Sequence, residues 1–539
     1  MADAVGASVG EVTRVDDLGE IERASSPRWV WWRTAEIYPA LLEAGVRVQR
    51  CHDLAAVQSL LRTYEGEPFV PPQSALSEPA GSGAVQISLF TDDEAASKPS
   101  RRLGAGPDGD PAMYGTYFGL AELRRHYAEQ LAHIARVRKA HPGFGLLVAA
   151  ESAAGLAAVE MGRAGLPWST EIHDRVLTDL LGPRPQHHGR PRKLQVLAEE
   201  VSALLAPEKT GPALQVNPDS PADVLKAFKR QGVTLTSTRA WELKEVEHPA
   251  VAPLLRYKEL ARLHVAHGWG WQDQWVRQGR FHAEYVPGGV VTGRWATSGG
   301  GALQIPKVMR ACVVADPGYV LVAADAGQLE PRILAALSAD RGMIAATADA
   351  DMYTALARQA LGRPEARNEA KIGLLAAMYG ARANTPAMVA LKRRFPQALD
   401  LLERAARTGE NGGIVRSVLG RTCPPPEPTW QEVPPEQALA RSRARGRFTR
   451  NFVIQASAAD WANALVAGLR RRLIALSDRA ELVFFQHDEV LVHAPAMLAE
   501  AVVAAIADSG AEATALVLGD RGVRIPLAAA PITSYADKN

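Results

Sequence analysis

Hydrophobic positions recur along most of this chain at helical spacing, interrupted by a few short runs that alternate or are continuously apolar. "LAELRRHYAEQLAHIARVRKA" (120–140) and "LLVAAESAAGLAAVEMGRAG" (146–165) carry a 3.6-residue period and predict two successive helices. "ADVLKAFKRQG" (222–232) and "VAPLLRYKELARLHVAHG" (251–268) predict two more. Between 27 and 63 the pattern changes. Strand-like "RWVWW" and "VRVQR" alternate with helix-like "AEIYPALLEAG" and "DLAAVQSLLRTY", a small α/β arrangement. Residues 64–113 are rich in Pro, Ser, Gly and Asp and read as a long flexible linker. From 285 onward strands and helices mix, and no internal repeat is visible.

Two of the apolar runs end on acids. "GYVLVAADAGQLEPRIL" (318–334) predicts a strand that delivers Asp325 at its tip, then a helix starting near Pro331. "LVFFQ" and "VLVHA" predict two short strands around a tight turn at His487–Asp488. A hairpin built only for burial would favour Asn-Gly or Asp-Gly at that turn. Asp488 and Glu489 instead require something positive opposite: a metal ion, a basic side chain, or plain solvent. Alone, Asp325 reads more simply as a helix cap or loop acid. Paired with Asp488 it gains meaning, because two carboxylates from separate strand ends can hold two Mg²⁺ ions and support in-line phosphoryl-type transfer. In "RNEAKIGLLAAMYG" (367–380), Arg367, Lys371, Leu375 and Tyr379 are spaced four apart and form one slowly drifting helical stripe. Two cations and an aromatic there suit a triphosphate and a base. An exposed amphipathic helix with snorkelling cations is the simpler account of that segment by itself.

Composition narrows the class without choosing within it. The 539 residues suffice for two to four domains, and 47% hydrophobic with 22% charged residues is ordinary for a soluble globular protein. Charge or proline breaks the apolar stretches before about 18 residues, so no membrane span is expected, and "MADAVGASVGEVTRVDD" lacks an export pattern. Cys51, Cys312 and Cys423 share no metal-ligand spacing and fit a reduced, cytoplasmic compartment. A net charge of +2 neither demands nor excludes a polyanionic partner. "RSRARGRFTR" (441–450) holds five arginines, which could be a solvated helix face or a phosphate-tracking surface.

The three acid- and cation-bearing segments, in this order, resemble family A DNA polymerases, the group of bacterial DNA polymerase I. "DAGQLEPR" is similar to the family's first metal-binding motif, "RNEAKIGLLAAMYG" to its nucleotide-binding fingers helix, and "QHDEV" to its second metal motif. "TGRWATSGGGALQIP" (292–306), "VRSVLGR" (415–421) and "RFTRNFVIQASAAD" (447–460) agree with further motifs, so the resemblance spans roughly 200–539. It implies an α+β right-hand fold of palm, fingers and thumb, preceded by a shortened exonuclease-like α/β domain. The implied division is 1–63 with 114–155 for that domain, 64–113 for the linker, 156–284 for the thumb and 285–539 for palm and fingers, the fingers near 340–410. It further implies that Asp325 and Asp488 bind two Mg²⁺ ions, with Glu489 assisting. Arg367 and Lys371 would hold the triphosphate, Lys371 assisting the leaving pyrophosphate, with Gln328 and Tyr353 also on the nucleotide side. Glu330, braced by Tyr379, would block a ribose 2′-hydroxyl. Arg294, Gln304, Asn451 and Gln455 would read the minor groove, and His487 and Arg447 would contact the primer or nearby backbone.

The implied activity is template-directed synthesis on a primed DNA template from deoxynucleoside triphosphates, in repair or gap filling, by a monomer. The alternative is a catalytically weak, clamp-associated DNA-binding scaffold that keeps the fold. One departure bears on the choice. Leu375 stands where the family has Phe or Tyr, a ring whose stacking on a base is worth about 1–3 kcal/mol. Ala326 and Gly327 likewise replace the usual Tyr-Ser. Within the family, the form resembled is a short bacterial one that joins a 3′–5′ exonuclease domain to the polymerase and lacks a 5′-nuclease. Proofreading needs about four carboxylates around two metals, yet "VRVQRCHDLAAVQSLL" contributes only Asp53, and "HYAEQLAHI" offers Tyr127 but Gln130 where an acid would help. No exonuclease activity is expected. Within the linker, Gln86-Ile87-Ser88-Leu89-Phe90 resembles the pentapeptide by which bacterial polymerases dock on the sliding clamp, with Gln86, Leu89 and Phe90 as anchors. A short strand returning to the N-terminal fold is the other reading of that run.

Overall fold

A computed structural model describes residues 17–72, 120–186, 189–206, 216–380 and 385–538. The proposed clamp peptide, Gln86 to Phe90, lies outside them. The chain divides into two compact units, one of Met1–Leu156, Val290–Gly293 and Glu403–Asp460, the other of Ala157–Gly289, Arg294–Leu402 and Trp461–Asn539.

In the first unit, strand Arg28–Trp31 pairs in parallel with Arg50–Asp53, and helices Thr34–Glu43 and Leu54–Tyr64 follow them. The second strand starts later than the Val46/Val48 alternation suggests. Val48 is fully buried in the preceding loop, where its N–H donates to the Tyr38 hydroxyl at 3.2 Å. Within the strand, Cys51, His52 and Asp53 are buried on consecutive residues, so no alternation marks it. Helix Leu120–Ala140 follows the periodicity of its sequence. Residues 403–460 fold with this unit rather than with the segments on either side of them. A buried ion triad gives the physical reason: Arg421 donates to Glu151 at 2.6 Å and to Asp460 at 3.0 Å, all three side chains being at most 5% exposed. Removing one member would strand a buried charge.

The second unit is built on a four-stranded antiparallel sheet in the order Leu527–Ile532, Tyr319–Ala326, Glu489–Pro495, Glu481–Gln486. Its central strands are almost wholly apolar and buried, which suits a sheet covered on both faces. Helix Ala499–Leu518 packs against it, and Leu321, Ala323, Phe484 and Leu491 join a core with Leu177 and Tyr257 of the preceding helices. Two helical stretches, Phe144–Ala164 and Ala496–Leu518, are long and apolar enough to cross a membrane by length and composition alone, so their apolar runs are longer than the sequence pattern suggests. Of the apolar window, 61% in the first and 44% in the second is buried inside the protein, as in core helices. Few charges interrupt them: Glu151 is buried at 3% exposure, whereas Asp508 is exposed in the middle of the second.

Arg332 organises the chain around the central strand end. It is fully buried, and its guanidinium donates to the carbonyls of Gly327, Thr347, Asp349, Ala350 and Arg524 at 2.6–3.1 Å. One side chain therefore joins the turn after Asp325, the segment before helix Met352–Leu361, and the approach to the edge strand. Arg332→Met should lower stability by at least about 3 kcal/mol, since several buried carbonyls lose their donor. Urea unfolding followed by tryptophan fluorescence measures this. Arg332→Lys should recover only part, because an ammonium has three donors and no planar fork.

Candidate active site

Asp325 is the penultimate residue of its strand and Glu489 the first of the next, and the two are direct partners in the antiparallel register. Asp488 is the second residue of the two-residue turn that joins Gln486 to Glu489, and its carbonyl accepts from the Ala326 N–H at 3.2 Å. The hairpin tip is thus fastened to the strand end carrying Asp325. His487, the other turn residue, is exposed and has φ +58°, where glycine would be at ease and another residue costs about 1–2 kcal/mol.

Like charges opposite one another across strands are destabilising. Partial burial first, then the charge of Asp325, push the Asp488 carboxyl up to about 7, with Arg294 acting in the other direction. A cation already sits at the centre: the Lys538 ammonium lies 2.7 Å from Glu489 and 3.6 Å from Asp325. The donor set fits Mg²⁺, which takes oxygen ligands and keeps several waters. Among the described residues, no group of three His, Cys, Asp or Glu is gathered as a metal cage. Two protein carboxylates would leave the remaining positions to water and phosphate oxygens.

Helix Arg367–Tyr379 presents the expected stripe. Lys371 is exposed, Leu375 half-buried and Tyr379 40% exposed, while Ala370, Leu374, Ala377 and Met378 form the buried face. Gly373 permits close approach to helix Pro386–Arg394: a Cβ there would come within 3.2 Å of the Met388 nitrogen and a Leu391 methyl. Arg367 is ion-paired with Asp351 and stands 5.7 Å from the ring centre of buried Tyr353. Asp351 also accepts from Gln328 at 3.2 Å, from Thr354 at 2.9 Å and from the Tyr353 N–H at 3.1 Å, so it caps the following helix. Burial opposes its ionisation, but the bonds from Arg367 and Thr354 hold it below the usual carboxylate range. Gln328 accepts from the Met352 N–H at 2.8 Å and has φ +56°. Glu330 accepts from the Tyr379 hydroxyl at 2.9 Å and is ion-paired with Arg294.

The structure therefore brings Asp325, Asp488 and Glu489 to one strand-end cluster, and links Gln328, Tyr353 and Arg367 through Asp351. Arg294, Glu330 and Tyr379 form a third group. Gln304 is exposed in the turn Ala302–Gln304, whose Leu303 carbonyl accepts from Gln486 at 2.6 Å. Arg447, Asn451 and Gln455 belong to the first unit, on successive turns of helix Pro435–Leu476. All three are half-buried, and Asn451 Oδ1 is a buried acceptor without a hydrogen-bond partner among the described residues. Two arginines of the basic run are engaged within the protein. Arg441 pairs with Glu427 at 3.1 Å, and Arg445 donates to the Pro424 carbonyl at 2.6 Å, leaving Arg443 exposed. Two residues of the site escaped the sequence reading. Asp351 carried a signal, an aspartate just before a helical period; Lys538 carried none.

The sequence profile of DNA polymerase family A matches residues 197–530. DNA polymerase I of Chloroflexus aurantiacus is 28% identical over 304 residues, 51% of this chain and 31% of that protein. Thermostable DNA polymerase I of Thermus aquaticus is 28% identical over 303 residues, 51% of this chain and 35% of that protein. The match thus spans about a third of the length of these relatives. The structure is similar to the POL domain of Pol1 from M. smegmatis, solved in complex with DNA primer-template and dNTP. The TM-score is 0.62 at 21% identity, over 77% of this chain and 74% of that one, which establishes an α+β polymerase fold.

Because Asp488 is raised above its unfolded value, it takes up a proton on folding between about pH 4 and 7. Stability from this group is therefore lost as pH rises through that window. Asp488→Asn should raise the melting temperature at pH 8 in EDTA, by about 2–4 °C for each kcal/mol relieved. A metal-binding role for Asp488 predicts in addition that Mg²⁺ stabilises the parent more than the variant, which thermal melts with and without Mg²⁺ compare directly.

Proposed function

The chain belongs to family A of the DNA polymerases, and from that premise we propose that it is a template-directed DNA polymerase that extends a primer 3′-hydroxyl with deoxynucleotides. The observation that carries this reading is the strand register that pairs Asp325 with Glu489, beside Asp488, across roughly 160 residues of intervening chain. Two Mg²⁺ ions, held by Asp325 and Asp488, would supply charge to the attacking and leaving oxygens of an in-line displacement. Glu489 stays beside them as an accessory acid.

The surrounding residues position the nucleotide. Lys371, exposed one turn after Arg367, offers a point charge to the departing pyrophosphate. Arg367 contributes its planar fork once a triphosphate takes the place of Asp351. Gln328, which holds the start of the neighbouring helix, and Tyr353, whose ring lies beside Arg367, would contact the nucleotide as well. Glu330, which accepts from the Tyr379 hydroxyl, would block a ribose 2′-hydroxyl. Arg294, Gln304, Asn451 and Gln455 would meet minor-groove acceptors shared by all correct pairs, a check of shape rather than sequence. Arg447 and His487 would meet the primer backbone, and release of Arg294 from Glu330 would accompany DNA binding.

Repair or gap filling, a monomeric state and a cytoplasmic setting complete the proposal, with Gln86, Leu89 and Phe90 docking on the sliding clamp. No 3′–5′ exonuclease is proposed. Both oxygens of Asp53 are already engaged, by the Thr34 N–H at 2.7 Å, the Thr34 hydroxyl at 2.6 Å and the Ala56 N–H at 2.9 Å. Gln130 likewise bonds His52 at 2.9 Å and the Leu54 carbonyl at 2.9 Å. These residues serve as a helix cap and a core contact. The scaffold reading draws on Leu375, which offers no ring to a base.

Nucleotide incorporation on a primed template with Mg²⁺ tests the proposal. The parent should extend the primer and Asp488→Ala should not; equal inertness of both would favour the scaffold. Leu375→Phe should lower the apparent KM for nucleotide by roughly fivefold, the lower end of the stacking contribution. An unchanged KM would remove Leu375 from the nucleotide site.

A further inference from the structure

The acidic centre contains one residue that its proposed chemistry does not use. Lys538 arrives from the end of the edge strand, and its ammonium lies 2.7 Å from Glu489 and 3.6 Å from Asp325. Its side chain is 18% exposed, that of Glu489 9% and that of Asp325 45%. Among the described residues no other cation pairs with Glu489 or Asp325.

The chain leading to Lys538 is firmly anchored. Strand Leu527–Ile532 pairs with Tyr319–Ala326, Ala528 directly opposite Asp325. The Ala315 N–H then donates to the Thr533 carbonyl and the Tyr535 N–H to the Val313 carbonyl, both at 2.9 Å. Ser534 and Asp537 close a capping box over the short turn Tyr535–Asp537. Tyr535 is 1% exposed, with Arg310 4.6 Å above its ring and Phe484 beside it. Such anchoring delivers the Lys538 backbone to a fixed place while four rotatable bonds leave the ammonium free to withdraw.

We propose that Lys538 is a resident counter-cation of the acidic centre: it stays with Glu489 as its permanent partner and competes with divalent metal for Asp325, thereby restraining the metal affinity of the enzyme without DNA. The inference rests on the reading of Asp325 and Asp488 as metal ligands. The unequal distances support the division of roles. The close contact is to the buried acid, and the longer one is to the exposed acid that metal must reach. Lys538 is a positioning residue, acting on the reaction through these carboxylates.

The test is Mn²⁺ binding to the DNA-free full chain, followed by electron paramagnetic resonance of the free ion. Lys538→Met should bind Mn²⁺ about two- to fivefold more tightly than the parent, the range set by one partly screened ion pair. Lys538→Arg should bind as the parent does, because it restores the competing charge. In primer extension, Lys538→Met should reach its maximum at a lower Mg²⁺ concentration. A role in folding alone predicts weaker Mn²⁺ binding by Lys538→Met, and that result, or unchanged affinity, overturns the inference. The two readings fail separately. A parent that extends primers and loses Mn²⁺ binding on Asp488→Asn, yet is insensitive to Lys538→Met, retains its metal site and loses only the counter-cation. A parent that binds no Mn²⁺ refutes the metal site and the counter-cation together.

Discussion

Two adjacent strands that place Asp325 opposite Glu489, with Asp488 at the neighbouring turn, hold negative charge at a spacing the sheet itself does not favour. The site is arranged around that repulsion. Lys538 meets two of the acids and Arg294 moderates the third; the remaining demand for positive charge is what the proposed Mg²⁺ ions would meet. The backbone bond from Ala326 to Asp488 keeps the acids from separating to relieve the strain.

Rigidity beneath the acids comes from carbonyls rather than from carboxylates. Arg332 gathers five of them with one buried guanidinium, so the turn after Asp325 cannot shift without moving the segment that carries Asp349 and Asp351. Asp351 then transmits that position to Gln328 and Arg367. The acidic cluster and the group of Gln328, Asp351 and Arg367 are therefore parts of one mechanical frame, joined through main-chain atoms that a side-chain inventory would overlook. Catalytic constellations in general show such a division of labour, reacting groups being held by supporting groups that touch no substrate.

Much of this was legible in the sequence. The strand ending at Ala326, the hairpin around His487–Asp488 and the helices at 120–140, 251–267 and 367–379 follow from periodicity, because each has one face or both faces committed to apolar packing. The strand Arg50–Asp53 was displaced in the sequence reading because its buried residues are Cys, His and Asp, whose satisfaction depends on partners distant in sequence such as Ser152 and Gln130. The attachment of 403–460 to the N-terminal segment was hidden for the same reason, since Arg421, Glu151 and Asp460 are individually ordinary charged residues. Lys538 was the least visible. A lysine in a polar stretch has no local signature of the carboxylates it meets, and only the pairing of the edge strand puts it among them.

The central pair of the four-stranded sheet joins segments separated by roughly 160 residues, so its closure carries a large entropic cost before any contact offsets it. Helices such as Arg367–Tyr379 need only neighbouring residues and can form early, whereas the meeting of Asp325 with Glu489 belongs to the last stages of collapse. A partly folded chain would thus show abundant helical signal by circular dichroism while possessing no acidic centre at all. Under mild denaturant, the pairing of these strands should be lost before helicity is, making the acidic cluster the most sensitive reporter of this molecule's complete topology.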